Sequence, residues 1–259
     1  MDLGIAGRKA IVCASSRGLG KACARALAEA GCEVVINGRD GKTLEATAAE
    51  IAKATGAKVT AVVADVATPD GQKALFAACP SPDILVNNNA GPPFRDFREL
   101  TRQQMIDGVT ANMVVAIELI QKVIEPMSQR KFGRIVNITS GSVKMPLAGL
   151  DLSSGARAGL TAFLAGVART VAANNVTINN ILPGSFDTDR LRSNLKSNAQ
   201  KTGTTEDQAA KVRIATIPAR RFGEPDEFGA ACAFLCSAQA GYITGQNLLI
   251  DGGVFNGAF

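Results

Sequence analysis

Short, continuously apolar segments alternate with longer segments of helical pattern along most of this chain. Because the apolar runs are not interrupted by polar residues, they are typical of strands that crossover helices bury on both faces. The predicted strands span 9–14, 33–37, 58–66, 83–88, 133–140, 176–184 and 247–253. The predicted helices span 21–31, 42–55, 102–128 and 156–174. This order predicts an α/β fold, a doubly wound parallel sheet of seven strands with helices on both faces.

One stretch, at about 185–224, breaks the alternation and is polar and basic. An insertion there would overhang the carboxyl ends of strands, where ligands bind in open α/β sheets. We therefore predict a single domain over 1–259 with a substrate lid at about 185–224. Its basic side chains suit a phosphopantetheine or carboxylate ligand, although an ordinary solvated face is the favoured interpretation. They are Arg190, Arg192, Lys196, Lys201, Lys211, Arg213, Arg220 and Arg221.

Composition narrows the classes of function. The chain has no run of eighteen apolar residues and no signal-peptide pattern at its start, so we expect neither a membrane protein nor a secreted one. The net charge of +5 is scattered and only 5% of residues are aromatic, which argues against nucleic-acid binding. The six cysteines form no CxxC pair and histidine is absent. We therefore expect no metal site and a reduced, cytoplasmic protein.

The segment between the first strand and its helix has the composition of a phosphate-binding loop. Gly18 and Gly20 would let the backbone approach a diphosphate, and the helix that follows points unpaired N–H groups at the anion. A tight turn with two permissive glycines is the alternative interpretation. The loop residues are Ala14, Ser15, Ser16, Arg17, Gly18, Leu19 and Gly20.

The end of the second strand bears on the choice of cofactor. Sites that prefer NAD usually place an acid there, whereas this chain has Arg39. A cation suits a 2′-phosphate, and Arg17 could add a second positive charge. The sequence therefore favours NADP(H) over NAD(H). The neighbouring Asp40 weakens this preference unless it caps the helix that starts near Lys42.

Further motifs, in order along nearly the whole chain, resemble those of short-chain dehydrogenases/reductases. They include an adenine contact, an NNAG motif, a structural Asn, a Ser beside the reacting carbonyl and a loop that meets the nicotinamide amide. The corresponding residues are Asp65 and Val66, Asn88 to Gly91 with Ala90, Asn112, Ser140, and Pro183, Gly184 and Thr188. The ending, GYITGQNLLIDGG, is also typical. The resemblance implies a Rossmann-type fold and hydride transfer between a nicotinamide and a carbonyl or alcohol carbon.

Two positions depart from the family pattern early in the chain. The first glycine of the phosphate loop is replaced by Ala14, whose methyl group would crowd the turn unless its φ is negative. The NNAG motif has two possible frames, because three asparagines follow one another. It begins either at Asn88 or at Asn87, and in the second frame Asn89 replaces the Ala.

The largest departure from the family pattern concerns the proton donor. The family implies a Tyr thirteen residues after the Ser, and a Lys four residues later. This chain has Ser153 and Arg157 at those positions, as does a small subgroup similar to β-ketoacyl carrier-protein reductases, which the GPP at 91–93 also resembles. A Ser hydroxyl is a much weaker acid than a Tyr and its side chain is shorter by about a ring. Arg157 stays protonated, but it can hydrogen-bond ribose hydroxyls.

Other groups are candidates for the missing chemistry. Lys144 lies four residues after Ser140 and would become more acidic if it leaned into the cleft, although a solvated lysine is the favoured interpretation. Asp151 could relay a proton through water, but capping explains it better. Tyr242, the only Tyr, matches a packing position. Ser140 itself either binds the carbonyl oxygen or satisfies nearby backbone groups.

The sequence leaves three hypotheses about function. The first is an NADP(H)-dependent reductase of a ketone or β-ketoacyl thioester with an altered proton path. The second is a non-catalytic cofactor-binding sensor or scaffold, and the third is a structural subunit of a mixed assembly. The helix at 156–173 carries small residues that permit close helix approach, and the resemblance implies that it pairs with its copy in a homo-oligomer, a dimer or tetramer. Packing on its own sheet alone is the alternative. By resemblance, Arg130 and Lys131 lie where related reductases dock an acidic carrier protein.

Overall fold

The computed structural model describes residues 2–92 and 94–258, so Pro93 of the GPP motif lies outside the described residues. The strands are β1 (Lys9–Val12), β2 (Glu33–Gly38), β3 (Val59–Val63), β4 (Ile84–Asn87), β5 (Gly133–Ile138), β6 (Val176–Pro183) and β7 (Asn247–Ile250). The helices are α1 (Gly18–Glu29), α2 (Gly41–Thr55), α3 (Pro69–Ala78), α4 (Arg102–Val109), α5 (Val115–Gln129), α6 (Asp151–Val171), α7 (Asp189–Thr202), α8 (Glu206–Ala215) and α9 (Pro225–Leu235). A π-helical turn, Thr110–Val114, joins α4 to α5.

The strands form one sheet with the order β3-β2-β1-β4-β5-β6-β7, and every neighbouring pair is parallel. The chain starts in the middle of the sheet, builds outward to β3, and then crosses over to β4 and continues to β7. This is the predicted doubly wound α/β fold with seven strands, and the prediction is confirmed. The carboxyl ends of β1 and β4 are adjacent at the point where the winding reverses, where such folds bind ligands.

Two hydrophobic cores lie on opposite faces of the sheet. Successive residues of β1 point to opposite sides, so Ala10 and Val12 join one core and Ile11 joins the other. Helices α1, α2 and α9 cover the first face, and α3, α5 and α6 cover the second. Full burial of one large side chain such as Leu27 contributes about 1.5–3 kcal/mol. Burial on both faces explains the uninterrupted apolar runs.

Four asparagines form a hydrogen-bonded ladder across β4, β5, β6 and β7. The Asn87 amide donates to Asn137 at 2.9 Å, Asn137 donates to Asn180 at 3.1 Å, and Asn180 donates to Asn247 at 2.8 Å. The first three residues of the ladder are buried. Buried amides of this kind are stable only when paired, so the ladder holds the four strand ends in register.

The predicted lid region forms an arm at the carboxyl end of β6 that contains α7 and α8. Its two ends are joined by backbone hydrogen bonds, from Asp187 N–H to Gly223 O at 2.9 Å and from Gly223 N–H to Ser185 O at 3.0 Å. Thr188 and Thr205 cap the two helices through their hydroxyls. Within the described residues, no helix is both long and apolar enough to span a membrane.

Several element boundaries differ from the prediction. Helix α6 begins at Asp151, five residues before the predicted start, because Ser153 and Ser154 are weak helix formers and hid the first turn. The exposed Asp151 carboxylate accepts a hydrogen bond from Gly149 N–H at 3.1 Å, and no side chain caps the start of α6. The periodicity also missed α3 and α9, and it extended β7 beyond Ile250 into a turn.

The asparagine ladder yields a stability prediction. Asn137→Leu would break the bonds to Asn87 and Asn180. The buried Asn180 side-chain oxygen would lose its partner and the Asn87 amide would keep only Ala116 O at 3.4 Å, so we expect the free energy of unfolding to fall by about 2–4 kcal/mol. Asn247→Leu, at the exposed end of the ladder, should cost about 1 kcal/mol. Urea denaturation measures both, and equal losses in the two variants would contradict the ladder's structural role.

Candidate active site

A cleft of about 870 Å³ opens at the carboxyl ends of β1, β4, β5 and β6 and is covered on one side by the arm. Most of the predicted site residues line it. These are Ala14, Ser16, Arg17, Gly18, Leu19, Arg39, Asp65, Val66, Asn88, Ala90, Ser140, Ser153, Arg157, Pro183, Gly184 and Thr188. Four predicted residues do not line it, namely Ser15, Gly20, Asn112 and Lys144.

The loop between β1 and α1 turns sharply at two positions of positive φ. Ala14 has φ 45° and Gly18 has φ 59°. The condition under which Ala14 would fit without strain, a negative φ, is therefore not met, and its Cβ makes this conformation unfavourable by about 1–2 kcal/mol. The N-cap residue of α1, Arg17, makes no side-chain cap, so the first N–H groups of that helix face the cleft without a capping oxygen.

Ser15 and Gly20 shape the loop from behind. The Ser15 hydroxyl is fully buried, donates to Val12 O at 2.6 Å and accepts from Asn37 N–H at 3.0 Å. A Cβ on Gly20 would collide with the carbonyl oxygen of Ala14 and lie 2.9 Å from the Asn88 amide nitrogen. Both residues thus position the loop, and the Ser15 side chain cannot contact a ligand because backbone groups occupy it.

The outer end of the cleft carries the residues predicted to select the cofactor. The guanidinium of Arg39 is exposed and lies 3.8 Å from the Asp65 carboxylate, a weak surface pair that a stronger anion can displace. Asp40 accepts a hydrogen bond from Thr43 N–H at 2.7 Å and caps α2, as predicted. Bonds from the Thr43 backbone and hydroxyl hold the pKa of Asp40 below its ordinary value. Asp40 is therefore committed to the helix.

The three consecutive asparagines have separate roles. Asn87 belongs to the ladder, whereas the Asn88 amide donates to Ala14 O at 3.1 Å and ties β4 to the phosphate loop. Asn89 donates to Ala111 O at 3.1 Å and accepts from Ala90 N–H at 2.8 Å. Asn88 and Asn89 both line the cleft, while Asn87 does not.

The inner end of the cleft, defined by Ser140, Ser153 and Arg157, lies between β5 and α6. The Ser140 hydroxyl oxygen accepts from Ser142 N–H at 3.1 Å and from the Ser142 hydroxyl at 2.9 Å. With its lone pairs used, the Ser140 O–H is left to donate toward the cleft. Ser153 is one helical turn before Arg157 on α6, which confirms the predicted spacing.

Arg157 is a buried cation without an acidic partner among the described residues. It is only 7% exposed, and its guanidinium donates to Ile138 O at 2.6 Å and to Asn89 O at 3.4 Å. Burial, with a smaller contribution from the charge of Arg190, lowers the pKa of Arg157 to about 10. It therefore stays protonated at neutral pH and presents an uncompensated positive charge to the cleft.

Asn112 and Lys144 take up positions outside the cleft lining. Asn112 is buried in the π-helical turn, where its amide donates to Gly108 O at 3.1 Å and its side-chain oxygen finds no partner among the described residues. The Lys144 ammonium lies 5.4 Å from the ring centroid of Phe255. Phe255 lines the cleft but Lys144 does not, so a catalytic role of Lys144 stays a prediction. Tyr242 is fully exposed near β7.

A family model described as enoyl-(acyl carrier protein) reductase matches residues 13–255. The NADPH-dependent reductase BacG of Bacillus subtilis (strain 168) is 33% identical over 252 residues, which cover 95% of this chain and 97% of that protein. The chain belongs to the short-chain dehydrogenase/reductase family. The 3-oxoacyl-[acyl-carrier-protein] reductase FabG of Vibrio cholerae is 32% identical over 257 residues, covering 98% of this chain and 99% of that protein.

Solved structures of reductases share the fold of this short-chain dehydrogenase/reductase. The crystal structure of YwfH, an NADPH-dependent reductase involved in bacilysin biosynthesis, has a TM-score of 0.91 at 30% identity and covers 97% of this chain and 100% of that chain. The structure of L-sorbose reductase from Gluconobacter frateurii, complexed with NADPH and L-sorbose, has a TM-score of 0.94 at 27% identity. The match covers 99% of this chain and 100% of that chain.

In this short-chain dehydrogenase/reductase, the described residues that line the cleft include no Tyr, Lys, His or Cys. Its ionisable side chains there are arginines and aspartates only, and both types ordinarily titrate far from neutral pH. The six cysteines are all buried, and burial raises the pKa of Cys13, directly beneath the loop, to about 12. Among the described residues no group of side chains is arranged to hold a metal ion.

Sequence reasoning missed part of the cleft wall. Phe94, Met145, Leu147, Leu150 and Phe255 line its mouth, and none belongs to a family motif quoted above. The exposure of two large apolar side chains, 54% for Phe94 and 37% for Met145, marks a surface built for an apolar ligand. In the sequence these residues stand out only as apolar residues in loops, and that pattern does not show whether their side chains face the cleft.

The strained loop gives a prediction with a matched control. Ala14→Gly removes the Cβ at positive φ, so we expect the free energy of unfolding to stay unchanged or rise by up to about 1 kcal/mol. Ala49→Gly, at an exposed position in the middle of α2, should lower it by about 1 kcal/mol because glycine is a poor helix former. Denaturant titration distinguishes the two, and an equal loss in both variants would show that Ala14 is unstrained.

Proposed function

We propose that this protein is an NADP(H)-dependent reductase of a ketone or β-ketoacyl thioester that takes its proton from water. One observation carries the proposal. A single cleft joins the uncapped start of α1 and the exposed Arg39 at its outer end to Ser140 and Arg157 at its inner end. The outer end is suited to the phosphates of a dinucleotide, and the inner end to a polarised carbonyl group.

The residues of the outer end fit a 2′-phosphorylated dinucleotide. Gly20 lets the start of α1 lie close against Ala14 of the loop, and the first N–H groups of α1 would hold a diphosphate there. Arg17 and Arg39 would bind the 2′-phosphate, with Asp65 released from its weak pair. The names of the relatives, among them an NADPH-dependent reductase, support this choice.

The inner end supplies polarisation without a side-chain acid. When bound, NADPH supplies the hydride that adds to the carbonyl carbon. The Ser140 hydroxyl donates a hydrogen bond to the carbonyl oxygen, and the buried charge of Arg157 stabilises the negative charge that develops there. The Ser153 hydroxyl is about as weak an acid as water, so it can only pass on a proton that the solvent replaces. A water molecule therefore transfers a proton to the oxygen and leaves hydroxide to the solvent.

A non-catalytic sensor or scaffold is the second candidate, and one observation favours it. The cleft has the polar geometry for a dinucleotide, yet its described residues include none of the four side-chain types that titrate nearest neutral pH. Such a protein would bind the cofactor without turnover. The hypothesis of a structural subunit in a mixed assembly rests on the same observation, namely that the cleft lacks a side chain that could donate the proton.

We also propose that the protein forms a homo-oligomer through α6. That helix exposes Ala162, Phe163, Ala165 and Gly166 on the side away from the sheet. Small residues permit close helix approach, and an exposed Phe among them favours burial against a second copy. Docking of an acidic carrier protein near Arg130 and Lys131 is a further proposal that rests on the 3-oxoacyl-[acyl-carrier-protein] reductase relatives.

Cofactor selection can be tested at one residue. Arg39→Ser should raise the Kd for NADPH about tenfold or more and leave the Kd for NADH unchanged, because only NADPH carries the 2′-phosphate. Arg98→Ser is the matched control, since Arg98 is equally exposed and pairs with Asp96. Calorimetric titration measures these constants. Equal NADPH affinities for the two variants would remove Arg39 from the site.

Turnover can be tested by restoring the missing pair. We expect the wild-type protein to oxidise NADPH slowly with a member of a panel of ketones and β-ketoacyl thioesters. The double variant Ser153→Tyr/Arg157→Lys should raise kcat about 100-fold, as a positioned acid typically does. Activity in the double variant alone would favour the sensor or scaffold, and absence of NADPH binding in calorimetry would contradict both candidates.

A further inference from the structure

The inner end of the cleft has a positive charge that no acidic side chain of the described residues neutralises. The side chain of Arg157 is only 7% exposed, and both of its hydrogen bonds go to backbone carbonyl oxygens. A buried guanidinium usually has a carboxylate partner, because carbonyl dipoles only partly replace the lost hydration. An anion that reaches this end of the cleft therefore gains free energy from Arg157.

Arg190 provides a second guanidinium at the same place. It lies at the start of α7 on the arm, and its two terminal nitrogens lie 2.9 and 3.1 Å from where a Cβ on Gly91 would be. The side chain therefore folds down over the β4 loop, and its charge contributes to lowering the pKa of Arg157. Both guanidinium groups line the cleft, and an anion that binds there reduces the repulsion between their like charges.

Two other arginines of the arm are paired with acids. Arg192 makes two bonds to Asp187 at 2.8 and 2.9 Å, and Arg221 makes two bonds to Glu227 at 2.7 Å. Arg213 also lines the cleft, but its guanidinium donates to the Ser185 hydroxyl at 3.1 Å. Arg190 lines the cleft and has no ion pair among the described residues, so its charge is available to a ligand.

The acids of this region do not neutralise the pair. Asp251 lines the cleft, but its carboxylate accepts from Gly253 N–H and Phe255 N–H, both at 2.8 Å. Asp189 also lines the cleft and makes no ion pair with Arg190 among the described residues. The two guanidinium groups are thus available to an incoming anion.

The wall beside the two cations is apolar. Phe94, Met145, Leu147, Leu150 and Phe255 surround the mouth of the cleft. Because Phe94 and Met145 are largely exposed without a ligand, an apolar body packed against them would bury surface that is otherwise in contact with water.

We propose that the substrate is a carbonyl compound with a free carboxylate and an apolar substituent. Its carboxylate binds Arg190 beside Arg157, which remains directed at the carbonyl oxygen, while the apolar part packs against Phe94 and Met145. The inference rests on the proposed function and narrows it from ketones in general to oxo acids. Arg190 is the specificity-determining residue. Bidentate binding of a carboxylate to a guanidinium gives the discrimination against neutral ketones.

Binding of an unreactive acid tests this independently of turnover. Calorimetry would compare 3-phenylpropanoate with neutral 3-phenylpropanamide, using the protein alone and the protein saturated with NADP⁺. We expect the acid to bind about tenfold more tightly than the amide. Arg190→Gln should abolish that preference, Arg190→Lys should retain part of it, and Arg192→Gln should leave it unchanged.

The outcomes separate this inference from the proposed function. Equal affinity for acid and amide in the wild-type protein, or equal effects of Arg190→Gln and Arg192→Gln, would overturn it. A loss of NADPH affinity in Arg190→Gln without a carboxylate preference would instead assign Arg190 to the cofactor's diphosphate and also overturn it. Failure of every ketone to oxidise NADPH would refute the reductase but leave a measured acid preference standing.

Discussion

The cleft exists because the parallel strands β1, β4, β5 and β6 all end at the same edge of the sheet. Parallel pairing sends every strand in one direction, so the loops that follow them must share that edge. The asparagine ladder holds β4 to β7 in register there, and Asn88 ties the end of β4 to the carbonyl of Ala14. The backbone geometry of the sheet therefore brings together the phosphate loop, Ser140 and the arm, without the need for contacts among them.

The chemistry of the cleft depends on replacing an ammonium and a phenol by a guanidinium and a small hydroxyl. Arg157 keeps its proton at neutral pH and cannot pass it on, although it offers a permanent charge. Ser153 occupies the position of the acid but does not have its acidity. In the proposed function, the cleft stabilises an oxyanion by charge and hydrogen bonding, and water supplies the proton. Stabilisation of developing charge is commonly the largest part of enzymatic rate enhancement.

The sequence predicted those parts that depend on local pattern. Continuous apolar runs identified the parallel strands, since burial on both faces leaves no other pattern, and the spacing of Ser153 and Arg157 put both on one helix. It did not predict parts that tertiary packing decides. The positive φ of Ala14, the inward direction of Arg190 and the contact of Lys144 with Phe255 all arise from distant segments that meet only in the fold.

The position of site residues relative to the cleft shows the same limit. Ser15 and Gly20 belong to the predicted cofactor-binding loop but do not line the cleft. The Ser15 hydroxyl bonds backbone groups, and Gly20, which has no Cβ, lets the loop lie close to α1. Spacing alone cannot separate a residue that touches a ligand from one that shapes the loop. Both kinds of residue are needed for the same loop conformation, so both occur in the same sequence motif.

The central claim, that reduction proceeds without a side-chain proton donor, is tested most directly by the pH dependence of kcat/KM. The measurement would follow NADPH oxidation by the wild-type protein with its best carbonyl substrate from pH 6 to pH 9. The account predicts no inflection in that interval, because the cleft contains only arginines and aspartates as ionisable side chains among its described residues. An inflection near neutral pH, which would reveal a titrating protein acid, would contradict it.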